Sequence, residues 1–239
     1  MKYGFFVVSK MDGKTDPEWH YSGGISKESG LQVLTSCVES IRSHHPDAPI
    51  YVIDSASDNQ NYHPHIEEKY NATVDYAQNK NYTVGATYHV FKNYPDFEYY
   101  FFLQDAQVVH TNLEYCLNFD LSTYSYFNSH NGVGRIPGRE WGFKNQESVD
   151  LGERLLKENT GYAIPDLFTG CWGSIMFCKR HVLEALNNVG YFKMLPTNKL
   201  EDQVMERLTG IVLENVGFDL KENSLRNTHR ITKTFRGRM

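Results

Sequence analysis

The chain has 239 residues, enough for one large domain or two small ones with a substantial core. Its 40% hydrophobic and 22% charged residues are those of an ordinary globular protein. Lys and Arg number 24 against 29 Asp and Glu, and the resulting formal charge of −5 argues against a general nucleic-acid binder with a basic face.

The first element is Tyr3-Gly-Phe-Phe-Val-Val-Ser9, a continuous apolar run of the kind that forms a strand buried on both faces. Leu31, Leu34, Val38 and Ile41 then recur at three- and four-residue spacing, which predicts an amphipathic helix ending near His45-Pro46. A second buried strand, Ile50-Tyr-Val-Ile-Asp54, runs into the turn residues Ser55 to Asp58. A helix around His65–Tyr70, a strand Thr73–Tyr76 and a helix near Val84–Asn93 follow. Tyr99-Tyr-Phe-Phe-Leu103 is the most apolar run of all and stops at Gln104-Asp105. Strand and helix in alternation predict a parallel sheet, whose ligands sit beyond the carboxyl ends of the strands. Ser9, Asp54 and Asp105 fall at such ends.

The second half is less regular. Residues 131–142 hold four glycines and read as a mobile loop. Ile175–Cys178 reads as a strand and Lys179–Asn187 as a short helix. Leu200, Val204, Leu208 and Ile211 mark another amphipathic helix, closed by Gly217. Cys37, Cys116, Cys171 and Cys178 show no paired spacing and read as free, mostly buried thiols. The start is too short in apolar residues for a signal peptide, and no apolar run approaches the roughly 18 residues of a membrane span. The expectation is a soluble, cytoplasmic protein. His44, His45, His63 and His65 lack ligand spacing and read as surface residues.

Three stretches in this order resemble the GT-A glycosyltransferases, in particular their inverting, family-2-like members. The strand and turn Val52-Ile-Asp54-Ser-Ala-Ser-Asp58 is similar to the family's Asp-rich nucleotide-reading turn. Leu103-Gln104-Asp105-Ala-Gln107 sits where the family carries its Asp-x-Asp cation motif, with Gln107 in place of the second carboxylate. Thr169-Gly-Cys-Trp-Gly173 through Arg180, followed by Asn198-Lys-Leu-Glu201-Asp202, resembles the family's aromatic strand and the Glu-Asp pair that opens a helix.

The resemblance implies an α/β fold: one GT-A (Rossmann-like) domain over residues 1–239, with a mostly parallel twisted sheet flanked by helices. Residues 1–130 would bind the nucleotide-sugar, and 131–239 the acceptor. The implied reaction is transfer of a sugar from a UDP-, GDP- or dTDP-sugar to a glycan hydroxyl with inversion, as in glycan biosynthesis. Asp202 is the implied catalytic base. The implied donor contacts are Ser9, Asp54, Asp58, Lys80, Asn81, Gln104 and Asp105, and the basic tail after Arg226, which holds no acid, offers Arg230 and Lys233 as further donor contacts at the leaving diphosphate. Trp141, Trp172, Gly173 and Glu201 would meet the acceptor. A divalent cation, manganese or magnesium, would be held by Asp105, Gln107 and His229.

Plainer roles stand beside these. Asp105 can cap a turn, Asn198 with Glu201 fits a capping box, and both tryptophans can fill a core. Two rival functions also remain. A nucleotidyltransferase should carry a Gly-rich phosphate loop with a lysine after the first strand, and the stretch after Ser9 lacks one. A non-catalytic carbohydrate-binding or interaction module is favoured by Gln107 and opposed by the Glu201-Asp202 pair.

Overall fold

The computed structural model describes residues 1–10, 27–58, 60–77, 81–129, 143, 145–220, 224–225, 228 and 230–233. Lys80, Trp141, His229 and the glycine-rich stretch 131–142 lie outside them, and so carry no structural statement.

The elements run β1 (Tyr3–Ser9), α1 (Lys27–His44), β2 (Ile50–Asp54), α2 (His63–Tyr70), β3 (Thr73–Tyr76), α3 (Tyr82–Asn93) and β4 (Tyr99–Gln104). These are the strands and helices expected from the apolar runs, in the expected order. After them come β5 (Gln107–Val109), β6 (Leu121–Ser129), α4 (Gln146–Thr160), β7 (Leu167–Lys179), α5 (Arg180–Asn188), α6 (Lys199–Asn215) and β8 (Ile231–Lys233). The expected strand Ile175–Cys178 is the second half of the 13-residue β7.

The main sheet has six strands in the order β3-β2-β1-β4-β7-β6. β3, β2, β1 and β4 are mutually parallel, with Val7 opposite both Val52 and Leu103. β7 runs antiparallel to β4, and β6 antiparallel to β7. The sheet is therefore mixed and mostly parallel, in agreement with the fold class expected from the sequence. β5 and β8 form a separate two-stranded antiparallel ribbon.

Alternation along the central strands divides the core between the two faces of the sheet. Phe5, Val7, Tyr99, Phe101 and Leu103 pack with Leu34, Val38 and Ile41 of α1 and Ile66 of α2. Phe6, Val8, Tyr100 and Phe102 pack on the other side with α3, α4, α5 and α6. Each such fully buried side chain contributes roughly 1.5–3 kcal/mol of apolar burial, which is what forces β1 and β4 into the middle of the sheet. α6 lies close across β7: a Cβ on Gly210 would stand 1.9 Å from the Thr169 carbonyl oxygen, so only glycine permits this approach. Asn145 and Asn198 cap α4 and α6, each accepting from the backbone N–H three residues on. Among the described residues no helix is long and apolar enough to cross a membrane. All four cysteines are free and buried.

One expectation about histidine is corrected here. His45 is a core residue at the amino-terminal end of the sheet, 3% exposed, among the rings of Tyr3, Phe5 and Phe101. Its Nε2 accepts the Leu113 N–H at 3.0 Å, so the imidazole is neutral with its proton on Nδ1. Burial lowers its pKa from the ordinary value; Glu114 opposes that effect and His44 adds to it. Below the unfolded value of about 6.5 the unfolded chain takes up a proton that the folded chain resists. The stability from neutral His45 is therefore present above that pH and is lost as pH falls toward the folded value. Thermal melts at pH 7.5 and pH 5 should show a drop that is smaller in His45→Gln than in the wild type. An equal drop in both would remove His45 as its source.

Candidate functional site

Because β1, β2, β3 and β4 are parallel, their carboxyl ends share one edge, and the polar residues that follow them meet there. The ladder continues one residue past the strands: Ser55 N–H donates to the Ser9 carbonyl (2.9 Å), Ala77 N–H to the Asp54 carbonyl (2.9 Å) and Asp105 N–H to the Val8 carbonyl (3.0 Å). Ser9 Oγ in turn donates to Asp105 Oδ2 at 3.1 Å. Ser9 and Asp105, 96 residues apart in sequence, are thereby one unit.

Gln104 and Gln107 both face inward at this edge. Gln104 Nε2 donates to Thr83 Oγ1 of α3 at 3.2 Å. Gln107, 2% exposed, turns its Oε1 back to accept the Gln104 N–H at 2.9 Å, which closes the tight turn between β4 and β5. As placed, its amide oxygen serves the backbone and not a cation. Among the described residues no group of three or more His, Cys, Asp or Glu is arranged to hold a metal ion. Asp105 is thus the one expected ligand, among those described, that brings a carboxylate to this edge. Asp105 beside a Gln107 so turned does not fit a cation bridged in the Asp-x-Asp manner.

Asp54 is the best-enclosed acid of the edge, at 0% exposure. It accepts from Ser57 N–H (2.7 Å), the Tyr62 hydroxyl (2.8 Å) and His63 Nε2 (2.6 Å). Burial, and next the Asp54 charge, push the Tyr62 hydroxyl pKa well above the usual tyrosine range, so Tyr62 remains a donor. The carboxylate stitches the turn after β2, including Ala56 at φ 57°, to the start of α2. Here the expected direct donor contact is corrected: with no exposed surface, Asp54 reaches a ligand only through a neighbour. His63, whose side chain is 19% exposed, is the member of this group with the most accessible surface, and it is not the plain surface residue expected from its spacing. Asp58, four residues on, is exposed at the mouth of the turn.

The second half reaches the same edge through α6. Asn81 Nδ2 donates to the Pro196 carbonyl at 2.9 Å, which docks the segment before α6 onto the start of α3. At the head of α6 the two acids of the Glu201-Asp202 pair divide their roles. Glu201 N–H donates to Asn198 Oδ1 (3.0 Å), and Glu201 Oε2 accepts from Thr197 N–H (2.6 Å) and Oγ1 (2.9 Å). Glu201 is therefore engaged as a cap, a structural role beside the acceptor contact expected of it. Asp202, 8% exposed, is bonded instead by Lys199 Nζ.

Lys199 lies 5.5 Å from the centroid of the Tyr82 ring, and Lys10, next after Ser9, lies 6.0 Å from the same centroid. Contacts through Tyr82 therefore link the Ser9–Asp105 unit to the Lys199–Asp202 pair. Lys10, Tyr82 and His63 are the members that sequence patterns alone leave out.

The remaining expected residues are dispersed. Between Thr123 and Ser125 of β6 the register of β7 jumps from Met176 to Cys171, so Trp172 to Ile175 bulge opposite Tyr124 alone. Cys171 Sγ donates to the Ile175 carbonyl at 3.1 Å across the base of this bulge. Trp172 meets Tyr124 edge-on at 5.8 Å, and Gly173 lies in the bulge beside it. Bulges of this kind re-aim side chains next to binding sites.

Lys233 pairs in register with Gln107, which brings the β8 backbone next to the Asp105 turn. Arg230 is at the opposite end of that ribbon: its carbonyl accepts from His110 N–H, and its guanidinium sits 3.7 Å over the Tyr115 ring. This corrects the expectation for Arg230. As placed it anchors the start of β8 by a cation–π contact and does not face the strand ends.

No family model matches the sequence, and no curated protein matches it. Similar solved structures include GT-A glycosyltransferases. S. aureus TarS has a TM-score of 0.43 at 12% identity, covering 89% of this chain and 34% of that one. Core-mannan synthase A from Aspergillus fumigatus, in a Mn/GDP form, has a TM-score of 0.47 at 8% identity, covering 94% and 72%. A cytidylyltransferase from Leptospira borgpetersenii has a TM-score of 0.46 at 12% identity, covering 90% and 72%. The chain thus spans about a third of TarS. At scores below 0.5 none of these likenesses bears on function, and the fold rests on the strand order above.

Proposed function

We propose that the chain is a nucleotide-sugar-dependent glycosyltransferase acting with inversion. Residues 1–130 hold the donor at the ends of β1 and β4, and residues 131–239 hold the acceptor and the base. The observation that carries this reading is the docking of α6 onto α3 through Asn81 and Pro196. It brings the segment that leads into α6, and with it Asp202, the acid of the pair not engaged in the cap, to the start of α3, whose Thr83 accepts from Gln104 at the end of β4.

In the reaction Asp202 takes the proton of the acceptor hydroxyl. The acceptor oxygen attacks the anomeric carbon, and the bond from that carbon to the diphosphate oxygen breaks on the opposite side. Its electron pair leaves with the nucleoside diphosphate. The Ser9–Asp105 unit orients the donor, Asp54 fixes the ring of His63 beside the nucleoside, and the Trp172 bulge provides an aromatic face for the acceptor. A positioned base of this kind supplies about 10²- to 10⁴-fold in rate.

The test is release of nucleoside diphosphate from UDP-, GDP- and dTDP-sugars in the presence of a panel of oligosaccharide acceptors. Acceptor-dependent release from one donor class, with inverted anomeric configuration in the product, is the expected result. Pyrophosphate release from a nucleoside triphosphate and a sugar phosphate, in place of transfer, would instead make the chain a nucleotidyltransferase.

A further inference from the structure

We propose that Lys10 and Lys199 form an anion site for the donor's diphosphate, and that Lys199 is shared between that diphosphate and Asp202. The proposal rests on the glycosyltransferase reading and adds to it what meets the leaving group's charge. A departing diphosphate needs positive charge close by, because its oxygens gain charge as the sugar bond breaks. The usual provider, a cation between two carboxylates, is not matched by the described donor set, since Gln107 is neutral and turned to the Gln104 N–H.

Two ammonium groups stand beside the Tyr82 ring. Lys10 extends from the end of β1, directly after the serine bonded to Asp105. Lys199 extends from the first turn of α6. They come from separate halves of the chain and lie within 6.0 Å of one ring centroid, that of Tyr82. Tyr82 itself is held at φ 54°, a left-handed conformation that a tyrosine rarely adopts. Such strain persists only where surrounding contacts fix the residue, and it gathers at ligand-binding positions.

Lys199 donates to Asp202 Oδ2 within the same helical turn. The Lys199 ammonium occupies Asp202 Oδ2, so as placed that oxygen is taken and not open to an acceptor hydroxyl. A diphosphate with two or more charges, seated between Lys10 and Lys199, competes for the Lys199 ammonium more strongly than one carboxylate does. Its arrival draws Lys199 away and leaves Asp202 able to take the acceptor proton. Donor binding thereby precedes unmasking of the base.

The experiment measures binding of inorganic pyrophosphate, UDP, GDP and dTDP by titration calorimetry in EDTA. The proteins are the wild type, Lys10→Ala, Lys199→Ala, Lys199→Arg and Asp202→Asn, each confirmed folded by its melting curve. Loss of one charge-assisted contact should weaken binding about tenfold or more in Lys10→Ala and in Lys199→Ala. Lys199→Arg should recover part of it. Asp202→Asn should bind pyrophosphate more tightly than the wild type, because the competing carboxylate is gone.

Opposite signs for Lys199→Ala and Asp202→Asn are the signature of a shared lysine. If both variants bind pyrophosphate as the wild type does, Lys199 is a structural partner of Asp202 and the proposal is wrong. The outcome separates from that of the parent reading. Donor turnover with unaltered pyrophosphate binding in the lysine variants sinks the anion site alone. Lysine-dependent pyrophosphate binding with no turnover of any donor sinks the transferase reading alone.

Discussion

Asp202→Asn should lower turnover by about 10²- to 10⁴-fold, the range spanned by removal of a positioned general base. The folded structure should persist. The asparagine is the same size, the cap at Asn198 and Glu201 does not involve the Asp202 side chain, and the backbone Asp202 N–H to Asn198 carbonyl bond is kept. The loss should fall on kcat, since the acceptor proton is transferred in the chemical step and not on donor binding. A matched Glu201→Ala variant isolates the neighbour. Its carboxylate accepts from Thr197, so its removal should cost about 0.5–2 kcal/mol of stability, as cap losses do, and leave kcat within a few-fold. Measuring kcat and melting temperature for both variants separates base from cap. If the two effects are reversed, Glu201 is the base and Asp202 the structural acid.

The second large effect is on folding. Asp54→Ala removes the acceptor of three donors in a site with no exposed surface and strands the Tyr62 hydroxyl and the His63 ring. Breaking a buried charged network from one side costs about 3–5 kcal/mol, a large share of the roughly 5–15 kcal/mol by which domains are stable. Asp54→Asn keeps an oxygen for the Ser57 N–H and should cost clearly less. Urea unfolding of both variants checks this. If Asp54→Ala is within 1 kcal/mol of the wild type, the turn after β2 is held by something other than this carboxylate.

The four parallel strands and their helices were legible because each burial pattern is local. Phe5 to Val8 and Tyr99 to Leu103 are apolar on both faces, which in a chain of this composition means a central strand. β6 was not legible because Leu121–Ser129 is half polar and acquires its place only by pairing with β7, some 50 residues on. α4 has a polar sequence with few apolar positions, of which Val149 and Leu156 are buried by contacts made elsewhere in the chain.

The site divides in the same way. Strand-end acids are visible in a sequence, because a strand end is where an apolar run meets a polar residue. What those acids touch is not. Asp54 reads as a ligand contact until Tyr62 and His63 are seen to enclose it. Gln107 reads as a substituted cation ligand until its amide is seen on the Gln104 N–H. Lys10 and Lys199 are separated by most of the chain and become neighbours only through Tyr82. One further site signal is present in the local sequence, the three-residue spacing of Lys199 and Asp202, which places them on one face of a helix.

The central claim is that a nucleotide-sugar binds at the carboxyl ends of β1 and β4. Its most direct test is the melting temperature of the wild type with saturating UDP-, GDP- and dTDP-sugars, measured against Asp105→Ala. A ligand at 100 times its Kd should raise the wild-type melting temperature by about 5–10 °C. Such a rise is expected for one nucleotide class, and its loss in Asp105→Ala. A well-folded wild type that no nucleotide-sugar stabilises, or a rise that Asp105→Ala leaves unchanged, would contradict it.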